Sequence, residues 1–399
     1  MARILILGKY WHPFVGGIED VARSVARGLA RQHAVEVVAF DHGHSVGTER
    51  IDGLLLHRCA TPFVIKSQPL SLSYIRTVLR AEADLIYFHA PNVLASLALL
   101  LKLMIEGRRV PVITMHHMDI FGRPLLRAMA RVIYDKVLRC STRVIVTSLK
   151  NLTISADIRV PVRAVPIPLG IDFERFQVTT QFRNEAHGWR SSVCGDAPVV
   201  AFVGRHARYK GLDVLIRALE QRRDVHALIG GDGPFRESTI QLARKLGISD
   251  RVHMLGSLSH DEKLRLLAAA DVFVFPSTEI TEAFGVSQLE AMVVGCPVVA
   301  TNLPTGVTDV SVDGRTALVV EPNDAEALAA AIGRVCDDRV LAERLASNAR
   351  RRVQQNFTIK KMVERNATLI AQVLFESPDA MSGGCIKQPP STAVFDKGE

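Results

Sequence analysis

The sequence predicts an α/β protein built from two successive open sheets of mostly parallel strands, and three observations predict it. Short apolar runs alternate with helical stretches along most of the chain. The runs are rich in Val and Ile and apolar on both faces, as strands covered by helices on each side are. At 399 residues, 48% hydrophobic and 23% charged, the chain is too long for one core but has the balance of a globular protein. That balance excludes a disordered chain, a collagen and a coiled coil.

The first series places strands at Ile4–Leu7, Val35–Phe40, Leu85–Phe88, Val112–Thr114 and Val144–Thr147, with a helix from about Ile18 to Arg31 after the first. Segment 164–176 carries Pro166 and Pro168 and reads as a stiff interdomain connection. The second series begins at Val199–Val203. It continues at Ala227–Ile229, Val252–Leu255, Val272–Phe275, Pro297–Ala300 and Ala317–Val320, with helices over 211–221, 234–246, 261–269 and 285–294. The expected domains are therefore 1–175 and 176–355, with a helix at about 356–375 packing back on the first. The Ser-, Pro- and Gly-rich segment 376–399 has the composition of a disordered tail. Open α/β sheets bind ligands at the carboxyl ends of their strands, so two sheets face to face would form a cleft.

Several classes fall away on composition. The six cysteines form no CxxC pair, so neither a disulfide framework nor a cysteine-built zinc site is indicated, and a reducing compartment is expected. The apolar start is too short for a secretory signal, and the greasiest segment, Val93–Ile105, is too short to span a bilayer. The net charge of +8 sits in the first half: residues 1–175 carry 23 Lys and Arg against 14 Asp and Glu, the remainder 26 against 27. Within that half, Arg123, Arg127, Arg131 and Arg139 recur at helical spacing among Leu125, Leu126, Met129 and Val132. A basic amphipathic helix of this kind suits an anionic membrane surface, and a solvated helix face is the plainer reading.

Three motifs carry chemistry. Glu282-Ala-Phe-Gly-Val-Ser-Gln-Leu-Glu290 follows a strand and a loop, with Gly285 where a helix begins and Gly295 where it stops. Free amides at Gly285 and Val286 would favour an anion, usually phosphate. Glu282 and Glu290 would stand on the order of 10 Å apart at about 1.5 Å per residue, wide enough to straddle a diphosphate. As ordinary surface glutamates they would mean nothing. The second motif, Val203-Gly-Arg-His-Ala-Arg-Tyr-Lys-Gly211, stands directly after a strand and supplies Arg205 and Lys210 as cations for a departing diphosphate. The third, Gly16-Gly17-Ile18-Glu19, leaves a helix N-terminus free, which a tight turn explains equally well. Neither it nor Gly230-Gly-Asp-Gly233 matches G-x-G-x-x-G, which removes the main support for a nicotinamide enzyme. His116 and His117 follow one predicted strand and His89 another; His116 is the functional candidate, with a structural role as the alternative. No Asp-x-Asp pair occurs, so no metal is expected at a diphosphate.

Taken together with Val165-Pro-Ile-Pro-Leu-Gly-Ile-Asp172 and Gly295-Cys-Pro-Val298, these motifs resemble glycosyltransferase family 4, the retaining enzymes of GT-B fold, over about residues 3–372. The resemblance implies two Rossmann-like domains facing across a cleft. It implies that Arg205 and Lys210 bind the donor diphosphate, and that Glu282 and the Gly285–Val286 backbone hold the sugar. Glu290 would bind the ribose, Gly256 and Leu258 meet the base, and Gly16 and Gly17 close on phosphate and acceptor. His116 would sit by the anomeric centre. The segment Met115-His-His-Met-Asp-Ile120 departs from the usual Trp-His-Ser-Asp-Ile, so His117 could take that place. Similarity to the surface-polysaccharide branch implies mannose from GDP-mannose passed to a lipid-linked saccharide at the cytoplasmic membrane face, with other nucleotide-hexoses or a GDP-rhamnose as alternatives. No cofactor and no nucleic acid are implied. The rivals are a sugar-nucleotide epimerase, a glycoside hydrolase, whose carboxylates must lie about 5–9.5 Å apart, and a nucleotide-binding scaffold without activity.

Overall fold

The computed structural model describes residues 1–14, 16–41, 46–65, 68–107, 110–120 and 124–376. Two compact units divide the chain: Met1–Pro168 with the residues from Lys360 onward, and Leu169–Ile359. The segment expected as a linker at 164–176 is therefore shared out. Ala164–Pro166 forms an edge strand of the first unit, where a proline is tolerated because its missing N–H faces outward. Ile171, Phe173 and Phe176 are buried in the core of the second, so the division falls at Pro168 rather than at 175.

The first unit contains strands β1 (Arg3–Tyr10), β2 (Ala34–Asp41), β3 (Gly47–Ile51), β4 (Leu54–Ala60), β5 (Phe63–Ile65), β6 (Gln68–Leu70), β7 (Leu85–Ala90), β8 (Val112–His116), β9 (Arg143–Val146) and β10 (Ala164–Pro166). Its helices are α1 (Gly17–Leu29), α2 (Leu72–Arg80), α3 (Val93–Ile105), α4 (Pro124–Cys140) and α5 (Leu149–Ile154). The main sheet runs β10-β9-β8-β7-β1-β2-β4-β3, parallel except for β3. One face is covered by α2, α3 and α4 through Tyr74, Val78, Leu99 and Val137. On the other, Tyr87 donates a 2.7 Å hydrogen bond to Asn366 of the last helix, and Gly28 of α1 lies against Val363 of that helix.

The second unit holds α6 (Thr180–Cys194), β11 (Val199–Val203), α7 (Leu212–Gln221), β12 (His226–Gly230), α8 (Arg236–Lys245), β13 (Val252–Gly256), α9 (His260–Ala269), β14 (Val272–Phe275) and α10 (Val286–Val294). After these come β15 (Val298–Thr301), α11 (Val307–Val310), β16 (Leu318–Val320), α12 (Ala325–Asp337) and α13 (Arg339–Asn356); α14 (Ile359–Glu376) then carries the chain back to the first unit. The sheet is wholly parallel in the order β13-β12-β11-β14-β15-β16. Counted within the unit this is 3-2-1-4-5-6, the doubly wound order whose ligands bind where strand order reverses, between β11 and β14. The parallel strands of the first unit follow the same scheme, with the reversal between β1 and β7.

Residues 169–171 and 357–359 run side by side at the edge of the second unit. Ile171 N donates to Phe357 O at 2.8 Å and Ile359 N to Ile171 O at 2.9 Å. The predicted tail beyond Glu376 lies outside the described residues. Among the described residues no helix is long and apolar enough to cross a membrane.

Candidate active site

In the second unit the two loops beside the reversal point are tied to each other by backbone. Thr278 N, after β14, donates to Tyr209 O, after β11, at 2.8 Å. Gly211 has φ +67, and a Cβ there would run into the carbonyl of Pro276, so only glycine lets the loops meet. The result brings Lys210 and Glu282, 72 residues apart, into a buried ion pair. Ser277 Oγ donates to the same Glu282 oxygen at 3.1 Å, and the Lys210 ammonium stands 5.2 Å from the Phe275 ring and 5.3 Å from the Tyr209 ring. Arg205, from the same loop, is exposed.

Helix α10 starts at Val286, with Gly285 at φ +78 as its cap and no side chain capping it. A Cβ at Gly285 would meet the Phe275 ring, so the start of the helix lies directly on the end of β14. Its first amides remain available to an anion. Glu290, one turn inside, pairs with Lys263 of α9 at 2.6 Å; burial pushes its carboxyl above the usual range, and Lys263 partly offsets this. Gly256 ends β13 at φ +73, and Leu258 packs over Gly230 of the neighbouring strand.

In the first unit, α1 begins at Gly17, with Gly16 as its cap. A Cβ on Gly17 would face open space, whereas one on Gly16 would strike the Glu19 carboxylate. The half-buried Lys9 amine is held below its usual pKa by desolvation, with Glu19 acting in the opposite sense.

Strands β7 and β8 run farther than the sequence predicts, so His89 and His116 lie inside strands, and only His117 follows one. Neighbours on a strand point to opposite faces, and the two candidate histidines do so. His116 Nδ1 lies 2.8 Å from the Tyr134 hydroxyl and its Nε2 is 3.4 Å from Asp119. His117 Nε2 lies 2.9 Å from His89 Nδ1 with the rings stacked. Burial drives the pKa of His89 down to about 3 and that of His117 well down, helped by its histidine neighbours. Burial would raise Asp119, but hydrogen bonds from His116, Ser155 and the Ala156 amide bring it to about 2.

The arginine stripe of α4 is not a free outward row. Arg123 lies outside the described residues. Arg131 pairs with the buried Asp157, Arg127 is half-buried, and Arg139 is exposed. The outward side chains are apolar instead: Leu125, Leu126, Met129 and Val132 are all at least half exposed. The periodicity is correct but the face is rotated, because Asp157 holds one arginine inward.

Sequence reasoning missed Ser277, Lys263, Tyr134 and Lys9, and met Glu19 only as a member of the Gly16–Glu19 motif. Asp119 carried the one available signal, its place three residues after His116.

Comparison with known proteins agrees with this fold. Residues 15–175 match the family model described as Glycosyltransferase Family 4, and residues 186–352 the one described as Glycosyl transferases group 1. The O-antigen chain mannosyltransferase C of Escherichia coli is 29% identical over 93% of this chain and 99% of its own. The D-rhamnosyltransferase WbpZ of Pseudomonas aeruginosa is also 29% identical, over 88% and 90%. Among solved structures, Anabaena Alr3699/HepE in complex with UDP and glucose superposes with a TM-score of 0.75 at 21% identity, covering 93% of this chain and 100% of its own.

Proposed function

This chain belongs to the GT-B glycosyltransferases, with a family 4 domain followed by a group 1 domain, and from that premise we propose that it transfers mannose from GDP-mannose to a hydroxyl of a lipid-linked saccharide during bacterial surface-polysaccharide synthesis. The supporting observation is the buried Lys210–Glu282 pair at the sheet's reversal point, beside the uncapped start of α10. When donor enters, Lys210 and Arg205 turn to the diphosphate, and the α10 amides add their dipoles. Glu282, released from Lys210, accepts hydrogen bonds from the sugar hydroxyls. Glu290 holds the ribose, and Gly256 with Leu258 meets the base.

As the sugar–phosphate bond lengthens, negative charge grows on the leaving nucleotide where these cations lie. The acceptor hydroxyl attacks from the same face, its proton passes to the departing phosphate oxygen, and configuration is retained. Charge neutralisation rests on protein cations rather than a divalent ion. The two relatives, an O-antigen mannosyltransferase and a D-rhamnosyltransferase, support the substrate class, and the second favours a GDP-rhamnose as the alternative donor. Thermal-shift measurement against GDP, UDP and their sugars tests the donor. At about 100 times Kd a true ligand stabilises by ~2.7 kcal/mol. GDP-selective stabilisation is expected, and stabilisation by UDP alone would remove the guanosine assignment.

The acceptor's lipid anchor suits the exposed apolar face of α4, continued on the adjoining α3 by Leu101, Met104 and Ile105, with Lys136 and Arg139 for anionic headgroups. On this reading the enzyme works at the cytoplasmic face of the membrane, as the lipid-linked acceptor requires. The protein should co-sediment with phosphatidylglycerol vesicles, and Leu125→Glu with Met129→Glu should abolish this. Undiminished sedimentation of that variant would acquit this surface.

A further inference from the structure

At the amino-terminal edge of the second unit's sheet, away from the strand ends that carry Lys210 and Glu282, three further reactive side chains converge. His226 opens β12, and His253 is the second residue of β13. The register sets Leu228 opposite His253, and His226 lies two residues before Leu228, so all three side chains leave the same face of the sheet. Helix α6 lies on that face, and its last residue, the buried Cys194, joins the core that Leu228 enters. His226 Nδ1 is 3.2 Å from His253 Nε2, with the rings stacked at 5.5 Å. One donor atom from each of Cys194, His226 and His253 lies within 4.8 Å of the other two.

We propose that Cys194, His226 and His253 form a structural metal site whose chemistry selects Zn2+. Two imidazoles and a thiolate are a borderline-soft donor set, and tetrahedral ligation at about 2.0–2.1 Å holds two nitrogens roughly 3.3–3.4 Å apart, close to the spacing seen here. A hydrogen bond between the imidazoles accounts for the histidines and apolar packing for the thiol, but neither accounts for the convergence of all three donor atoms on one point. Burial holds both imidazoles below their usual pKa, so their lone pairs are available at neutral pH. Burial raises the Cys194 thiol, so binding displaces its proton to water as the S–metal bond forms.

The neighbouring cations are otherwise engaged. Arg190 is bound to Asp271 and two carbonyls, and Arg251 to the carbonyls of Leu219, Arg222 and Val225. Three protein ligands leave the fourth position to water. Met254 sits on the opposite face of β13 from His253, so the axial thioether of a copper site is not offered. The ion would fasten the end of α6 to the sheet and touch no substrate.

The test uses the full chain, stripped with chelator and titrated with Co2+, then with Zn2+. One Co2+ per chain is expected, with a thiolate-to-cobalt charge-transfer band that Zn2+ removes and that Cys194→Ser lacks. His226→Gln should weaken uptake at least about tenfold, and Zn2+ should raise the melting temperature of wild type but not of that variant. If Cys194→Ser does not fold, His226→Gln, at a half-buried position, carries the test alone. Absence of the band in wild type, its persistence in Cys194→Ser, or unchanged uptake by His226→Gln would overturn the proposal.

Discussion

At the reversal point of the C-terminal sheet, formal charges face one another at short range: Lys210 with Glu282, and close by Lys263 with Glu290. At the corresponding end of the N-terminal sheet lie imidazoles, with His89 stacked on His117 and His116 held between Tyr134 and Asp119. The two ends use burial in opposite ways. In the first, each buried charge keeps an opposite partner, so charge is stored where an anionic ligand can claim it. In the second, burial holds His89 and His117 neutral, leaving hydrogen-bonding groups without fixed charge. A doubly wound sheet fixes where a ligand goes, while the few side chains at its reversal point fix what kind of ligand it is.

The largest effect should come from removing stored charge. Lys210→Ala and Glu282→Ala should each cost about 10²–10³-fold in transfer rate, and about 3–5 kcal/mol of stability, because the remaining partner is left buried and unpaired. The double variant Lys210→Met with Glu282→Gln should recover much of the stability but none of the activity. Initial rates, measured in excess chelator and paired with urea unfolding, would check both. A wild-type rate in either single variant, or a loss that Mg2+ restores, would defeat the assigned roles.

A smaller effect should come from the neutral end. A folded state in which His89 titrates at about 3 binds fewer protons than the unfolded chain, whose histidines titrate near 6.5. Stability is therefore unaffected above about pH 6.5 and falls as pH drops from there towards 3, by at most ~1.4 kcal/mol per pH unit for each such histidine. His117 adds to the same slope. His89→Gln should flatten it, measured by urea unfolding between pH 7 and 5, and an unaltered slope would count against a neutral buried imidazole.

The smallest effect concerns Asp119, whose carboxyl is depressed to about 2. Its contribution is present above the unfolded value near 3.9 and is lost as pH falls through 2. Because the carboxylate is partly in water, Asp119→Asn should cost only roughly 1 kcal/mol at neutral pH. An equal loss at pH 2 and pH 7 would show that something other than charge is involved.

Much of this was legible in the sequence, and what was hidden has a physical pattern. Buried parallel strands reveal themselves because both faces are apolar, and the turns around Gly285 and Gly295 because helix ends demand particular residues. Lys210 and Glu282 could be named from local motifs, but their pairing could not, since it depends on Gly211 passing under Pro276. Lys263 reaches Glu290 across 27 residues, and Cys194, at the end of α6, meets His226 of β12 and His253 of β13, so no spacing announces either. The short strands β3, β5 and β6 carry too little apolar alternation to stand out. In α4 the period gave the helix but not its rotation, which a distant aspartate decides.

The return of α14 to the first unit has a consequence for how the molecule is made. The second unit is an insertion within the first, entered near Pro168 and left near Ile359 through two adjacent lengths of backbone. A nascent chain emerging from the ribosome therefore completes its earliest sheet early but covers it only after the second unit has been made. Until Asn366 arrives to accept the hydrogen bond of the Tyr87 hydroxyl, that sheet waits half-clothed while the inserted unit folds.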